Sequence, residues 1–412
     1  MQFSQVIGQA DLKEQLIHMV QHNRLSHALL FLGKEGSGAL SLARAMAQYT
    51  VCEKVNGKQS TGDRPLTAEA PSLFGETPEP EAASQHPVSG IRLSDSCGIC
   101  PSCQKAAKLI HPDIHFSFPV IPKKSGDKPV STDYIVEWRQ FVEKYPYGNN
   151  YDWLQYIDAE NKQGNITAHE CNEIIRMMSL KSFEAEYKIL IMWMPEMLGK
   201  EGNKLLKLIE EPPPNSLFIF VADNDALILP TILSRTQLIK VPRLQAADIS
   251  LALQEQENIP AQKADQLAAI SEGNYHEALQ QLSHADDDWE ILLRDWLNSI
   301  AKTGPAAQVK WIDEISKTGR EKQKQFLRYF IHLLEHAIRL RMTGITETGS
   351  KNDDFALRLN KLCSLEQQEA ISRELDNAMY YIERNANSKM LFHALTIKLY
   401  HIISNNSIIL VN

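Results

Sequence analysis

Three cysteines fall within seven residues, Cys97-Gly98-Ile99-Cys100-Pro101-Ser102-Cys103, and a fourth, Cys52, is separated from the first by 44 residues. Thiolates at this spacing converge on a compact knuckle, and four sulfurs are the set that structural Zn²⁺ takes, tetrahedrally and with no open position. Closing the long loop instead of one of about eight residues costs only about 1.5 kcal/mol more. Zinc binding contributes roughly 10–16 kcal/mol, so loop length does not forbid the site. An iron–sulfur cluster is the rival, because the same spacing opens the bacterial ferredoxin run, but that run needs a cysteine four positions on and Ala107 stands there. Six cysteines so distributed suit a metal site in a reducing compartment better than a disulfide framework. Cys171 and Cys363 stand alone and read as small buried hydrophobes.

The second candidate is Gly33-Lys34-Glu35-Gly36-Ser37-Gly38-Ala39-Leu40, which follows an apolar run and precedes a helical one. That is the context of a phosphate-binding loop, and Gly33, Gly36 and Gly38 would let the backbone curl around an anion. A working GxxxxGK[ST] loop needs a lysine for the β/γ-phosphates and a hydroxyl for Mg²⁺, whereas Ala39 and Leu40 occupy those places. The acidic pair that holds Mg²⁺ in such hydrolases should end a buried strand. Here Lys188-Ile189-Leu190-Ile191-Met192 runs on into Trp193-Met194, and Glu196 lies nearby but out of register. Loss of both metal-binding elements points to a chain that has abandoned hydrolysis. Its own glycines are therefore expected to form a degenerate loop.

Elements able to position these groups are readable from residue 28 to about 241. Apolar runs at Ala28–Leu32, Ile114–Phe118, Lys188–Trp193, Leu217–Ala222 and Gln237–Val241 alternate with helical segments, the pattern of parallel strands joined by crossover helices. Thr167-Ala168-His169-Glu170 has capping-box spacing ahead of Ile174, Ile175 and Met178, and a helix over Asn203–Glu211 should stop at Pro212-Pro213-Pro214. After Pro242 helical periodicity takes over. Phe326, Phe330, Leu333, Leu334, Ala337 and Ile338 make one apolar face at steps of three and four.

Two stretches break the pattern. Residues 53–96 hold Pro65, Pro71, Pro78, Pro80 and Pro87 without apolar period and read as a flexible excursion. Residues 116–156 contain ten aromatics, among them Trp138, Phe141, Tyr145, Trp153 and Tyr156. Such density suits stacking on single-stranded DNA, yet few basic residues lie among the rings, so a packed helical insertion is the expectation.

Composition sets the outer bounds. The 412 residues are too many for one ordinary core and fit two or three domains, and 43% hydrophobic with 23% charged residues is a globular balance. A formal charge of −8 argues against coating nucleic acid by bulk electrostatics. Neither a basic region followed by an apolar stretch at Met1–Gln5 nor a run of about 18 apolar residues is present. The cytoplasm is the expected compartment.

Several separate pieces carry a family likeness: Phe3-Ser4-Gln5-Val6-Ile7-Gly8-Gln9, Arg24–Phe31, His111-Pro112-Asp113, Asn203–Pro213 with its Leu205-Leu206-Lys207-Leu208-Ile209-Glu210-Glu211, and Thr231-Ile232-Leu233-Ser234-Arg235. In this order they resemble the delta-prime subunits and gamma/tau relatives of bacterial DNA polymerase III clamp loaders. Weaker similarity continues through Gly273–Leu279 and Asn385-Ala386-Asn387, and only 53–96 and 116–165 fall outside it. The resemblance implies an AAA+ fold of three parts: a P-loop-type parallel-sheet α/β domain over 1–242, a small helical lid over 243–285 and an all-α collar over 286–412. It points to zinc at Cys52, Cys97, Cys100 and Cys103.

The same likeness implies that Arg235, beside Ser234, reaches across a subunit interface to the γ-phosphate on a neighbour, although Thr236 replaces the family's Cys. Arginine suits the task because it stays charged and offers fixed donors to the transferring phosphoryl group. The lid position where active relatives carry an arginine is His276. The implied partners are gamma/tau and delta subunits, and through the assembly the sliding clamp and primer-template DNA. The alternative is a gamma/tau-like ATPase with an atypical site that uses Lys34 or Glu196.

Overall fold

The computed structural model describes residues 1–56, 94–124, 126–159, 162–283, 289–343, 351–383 and 386–405. Most of the expected flexible excursion at 53–96 lies outside them. The chain divides into two compact units, Met1–Leu282 and Ser283–Asn412.

In the first unit five parallel strands form one sheet in the order β2-β3-β4-β1-β5. They are β1 (Ala28–Gly33), β2 (Ile114–Ser117), β3 (Lys188–Trp193), β4 (Ser216–Ala222) and β5 (Gln237–Val241). All five expected strands are present, and they form the expected parallel sheet. β1 runs between β4 and β5, with Leu30 beside Phe220 on one side and Leu238 on the other. Every residue of β3 and β4 is buried, which is why these strands read as unbroken apolar runs rather than alternating ones.

Side chains alternate between two layers. Leu29, Phe31, Ile189, Ile191, Leu217 and Ile219 face helices α1 (Ala10–Gln21) and α2 (Ala39–Val51), while Leu30, Leu190, Met192, Phe218 and Phe220 face the opposite side. A short helix, α3 (Pro101–Ala107), begins at the cysteine knuckle. The aromatic insertion packs into the first layer through α4 (Ile135–Lys144) and α5 (Asn150–Tyr156). Trp138, Phe141 and Trp153 are fully buried, Phe118 stacks on Trp138 at 4.1 Å, and Trp153 meets Trp138 edge-on at 5.3 Å. These rings are core, and Trp153 Nε1 finds the Pro119 carbonyl at 2.7 Å.

On the opposite face α6 (Ala168–Met178) starts as expected at Thr167, whose hydroxyl accepts from Glu170 N at 3.1 Å. The reciprocal half of the capping box is not formed. Glu170 turns inward and accepts from Ser131 N at 2.8 Å and Ser131 Oγ at 2.7 Å, because the buried start of the insertion has donors to satisfy. The expected helix over 203–211 also begins later. Residues Pro195–Leu205 are 3₁₀ with a kink at Gly199, and only α7 (Leu206–Glu210) is α-helical before Pro212. A single turn, α8 (Pro230–Leu233), precedes β5. Beyond the sheet, α9 (Ala246–Glu257), α10 (Ala261–Ile270) and α11 (Tyr275–Ser283) build a core of their own around Ile249, Leu253 and Ala264, which Ile7 and Tyr147 join.

The second unit is helical throughout its described residues: α12 (Trp289–Asn298), α13 (Pro305–Ile315), α14 (Arg320–Thr343), α15 (Lys351–Leu362), α16 (Leu365–Glu383) and α17 (Ser388–Asn405). Phe326, Phe330, Leu333, Leu334 and Ala337 form the buried face of α14. Trp296 stacks on Trp311 with centroids 4.6 Å apart and bonds Thr396 Oγ1 at 3.0 Å. No helix among the described residues is long and apolar enough to cross a membrane.

Candidate functional site

Gly33 closes β1, and the chain turns through Gly36 and Gly38 at φ of 73° and 86°, left-handed values that suit glycine, before α2 begins at Ala39. Ala39 and Leu40, where a phosphate loop would carry its lysine and hydroxyl, are buried in the core under the sheet. Lys34 is exposed.

The space above the loop is filled by other parts of the chain. A Cβ on Gly36 would lie 1.8 Å from Asn274 Oδ1, and one on Gly38 would lie 2.8 Å from Tyr147 Cε1. Tyr147 is buried, accepts from Ile7 N through its hydroxyl at 2.8 Å, and meets Tyr275 edge-on at 5.0 Å. Burial pushes its phenol up to about 12. Ser41 Oγ, one turn into α2, donates to the Pro146 carbonyl at 2.9 Å.

His276, at the start of α11, joins this arrangement by charge. Its Nδ1 lies 2.8 Å from Glu35 Oε1 in the loop and its Nε2 lies 2.6 Å from Asp152 Oδ2 in α5. Burial alone would discharge the imidazole. The hydrogen bonds and charges of Asp152 and Glu35 outweigh it and push the group up to about 10. Asn149 Nδ2 adds a bond to Glu35 Oε1 at 3.0 Å.

At the far end of β3 Met194 takes a left-handed turn, and Glu196 folds back to accept from Asp223 N at 2.7 Å and Asn224 N at 2.9 Å. Its carboxylate caps the end of β4. Burial raises the Glu196 carboxyl, and burial first, then Glu196 and Glu35, lifts Asp223 to about 7. Asp223, Glu35 and Asp152 are acidic groups that sequence reasoning did not single out. Only Glu35, within the glycine loop, carried a local signal.

Arg235 follows α8, away from the loop. Its Nε donates to Glu210 Oε1 at 2.5 Å, and its Nη1 donates to the Thr231 carbonyl at 2.7 Å and to Ser234 Oγ at 3.2 Å. Ser234 in turn donates to the Thr231 carbonyl. The guanidinium is half-buried and fixed at four points.

Cys52, Cys97, Cys100 and Cys103 come together with all four Sγ within 4.8 Å of one another, and all are free thiols. Cys97 N, Cys100 N and Cys103 N each donate to a cysteine sulfur at 3.4 Å, from Cys52, Cys97 and Cys100 respectively. Amides aimed at sulfur favour thiolate, so the donor set and its surroundings fit a closed four-sulfur metal centre of the kind zinc takes. The knuckle also holds the amino-terminal segment: Asp95 accepts from Phe3 N at 3.0 Å and Ser4 N at 2.9 Å, and Gln2 Nε2 donates to the Ser96 carbonyl.

A family profile described as DNA polymerase III, delta subunit, matches residues 8–66 and 83–245. The chain is similar to the delta' subunit of DNA polymerase III from Bacillus subtilis, 23% identical over 272 residues, which is 66% of this chain and 58% of that protein. It is similar to the delta' subunit from Haemophilus influenzae, 23% identical over 223 residues, 54% of this chain and 45% of that one. It is also similar to the gamma/tau subunit from Mycobacterium tuberculosis, 25% identical over 235 residues, 57% of this chain and 27% of that one. The match thus spans about half the length of the delta' relatives and about a quarter of the gamma/tau one.

Proposed function

We propose that this chain, which belongs to the DNA polymerase III delta-subunit family of clamp-loader proteins, is a delta'-type subunit that hydrolyses no ATP and supplies Arg235 to a nucleotide held by a neighbouring gamma/tau subunit. The observation that carries this is the pairing of a disabled loop with a preset arginine. Ala39 and Leu40 are buried where a lysine and a hydroxyl are needed, and Glu196 Oε1 is held by the backbone N–H groups of Asp223 and Asn224. Arg235, in contrast, is held in place by Glu210, Thr231 and Ser234.

The mechanism follows from what each group can do. Phosphoryl transfer is accelerated by positioned positive charge around the transferring group. This chain offers no such charge at its own Ala39 position, so its contribution is the Arg235 guanidinium, directed to the γ-phosphate bound next door. The helical unit that begins at Ser283 holds the subunit to its gamma/tau and delta neighbours, and the ring so formed acts on the sliding clamp and primer-template DNA. Zinc, when bound by Cys52, Cys97, Cys100 and Cys103, serves the fold. The subunit works in the cytoplasm with the replication machinery.

The experiment is reconstitution with gamma/tau and delta, followed by DNA- and clamp-stimulated ATP turnover with wild type and with Arg235→Ala. Hydrolysis at the site that Arg235 faces should slow by about 10³-fold or more. Unchanged turnover would sink the trans-acting role.

A further inference from the structure

The segment of the aromatic insertion that reaches the glycine loop does more there than fill a core. Tyr147 lies over Gly38, Asn149 bonds Glu35, and Asp152 bonds the lid residue His276, which itself returns to Glu35. Asn274 presses on Gly36, and Tyr275 N donates to the Gly36 carbonyl at 3.3 Å. Loop, insertion and lid thus meet at one point, the crevice where a nucleotide would lie between a phosphate loop and a lid.

We propose that Tyr147–Asp152 is an internal ligand that takes the nucleotide's place, closing the lid on the loop and shutting the crevice to ATP. Three features support it. The segment is tied to the loop's surroundings at its start, by Tyr147 to Ile7 and by the Pro146 carbonyl to Ser41, so it is seated by the fold. Asn149 and Asp152 form a reciprocal capping box at the start of α5, with Asp152 N donating to Asn149 Oδ1 at 2.9 Å and Asn149 N to Asp152 Oδ2 at 2.9 Å. The helix end that carries the lid contact is therefore rigid. Finally, the cation at the lid position faces two carboxylates of its own chain, Glu35 and Asp152, where an incoming phosphate would have to displace both. A ligand shifts a conformational equilibrium only through differential affinity for its two states. With the crevice filled, nucleotide has no such leverage on this lid.

The inference is separate from the role of Arg235: complex turnover tests the arginine, and amide exchange in the isolated full chain tests the plug. Hydrogen exchange would be followed in peptides covering 33–41 and 272–282, in zinc-loaded protein, with and without millimolar Mg-ADP or Mg-AMPPNP. Both peptides should be protected without nucleotide and unchanged by it. The double variant Tyr147→Ala with Asp152→Asn should speed exchange in both by about 10-fold or more while peptides from β3 and β4 stay protected. Should that variant lose its sheet protection, His276→Gln, which removes the cation at similar size, carries the same expectation. Fast exchange in wild type that nucleotide slows, or lid and loop protection that survives the variants, would overturn the proposal.

Discussion

Arg235 and Glu210 are locked together across the gap between the turn after α8 and the end of α7, with Nε of the arginine 2.5 Å from Oε1 of the glutamate. Both lie at element ends fixed by the sequence. Glu210 ends the helix stopped by Pro212, and Arg235 follows the turn that Ser234 closes. The guanidinium is thereby oriented by its own chain.

Because the pair is partly exposed, it contributes little to stability, about 1 kcal/mol or less. Arg235→Ala and Glu210→Gln should each leave the melting temperature of the isolated chain within a few degrees of wild type. Turnover in the reconstituted complex should nevertheless fall for Arg235→Ala. A melting temperature lowered by ten degrees or so would show that the arginine is structural.

His276 makes the first unit sensitive to alkali. Its ordinary value of 6.5 is raised to about 10 in the folded chain. A raised value means that its ion pairs stabilise fully below about pH 6.5 and are lost as pH climbs through about 10. Urea unfolding should show stability falling across that window by an amount on the order of a few kcal/mol. In His276→Gln at the same zinc loading, that part of the slope should vanish. Identical slopes in the two proteins would contradict the Glu35–His276–Asp152 arrangement.

The cysteine centre should carry one zinc per chain by elemental analysis, and Cys103→Ala should abolish it. Removing the metal by chelation should free Asp95 and Ser96 from the amino-terminal segment, since they sit on the same knuckle. Limited proteolysis should then cut near residues 94–103, and stability should fall by several kcal/mol. Indifference to chelation would leave the four thiols without a metal role.

The buried rings of the aromatic insertion, Trp138, Phe141 and Trp153, belong to the core. Trp153→Ala should cost roughly 3–5 kcal/mol, because a fully buried ring is replaced by a cavity. Tyr145→Ala, on an exposed ring, should alter neither stability nor single-strand binding. A large loss of DNA affinity in the tyrosine variant would revive the stacking reading.

The strands were legible because β1, β3 and β4 are buried on both faces, and unbroken apolar runs such as Leu217–Ala222 have no other use in a chain of this composition. The cysteine set was legible from local spacing, which brings three sulfurs together, and from the need of a four-sulfur site for one more, which Cys52 meets. The capping box at Thr167 was half right, since sequence spacing shows that Glu170 can reach back but not that Ser131, 39 residues away, competes for it. The helix before Pro212 began late because Gly199 takes φ 51° and ψ −140° within the preceding segment. The closure of the loop was not legible at all. Glu35 and His276 lie 241 residues apart, and nothing local to Tyr147 marks it as the side chain that will cover Gly38.

The most direct measurement is Mg²⁺-dependent ATP hydrolysis by the purified full chain alone, run beside a Gly38→Val variant to expose any contaminating activity. Both proteins should release phosphate no faster than buffer. Steady hydrolysis by the wild-type chain that disappears in the glycine variant would show that its own loop performs the chemistry assigned here to a neighbour.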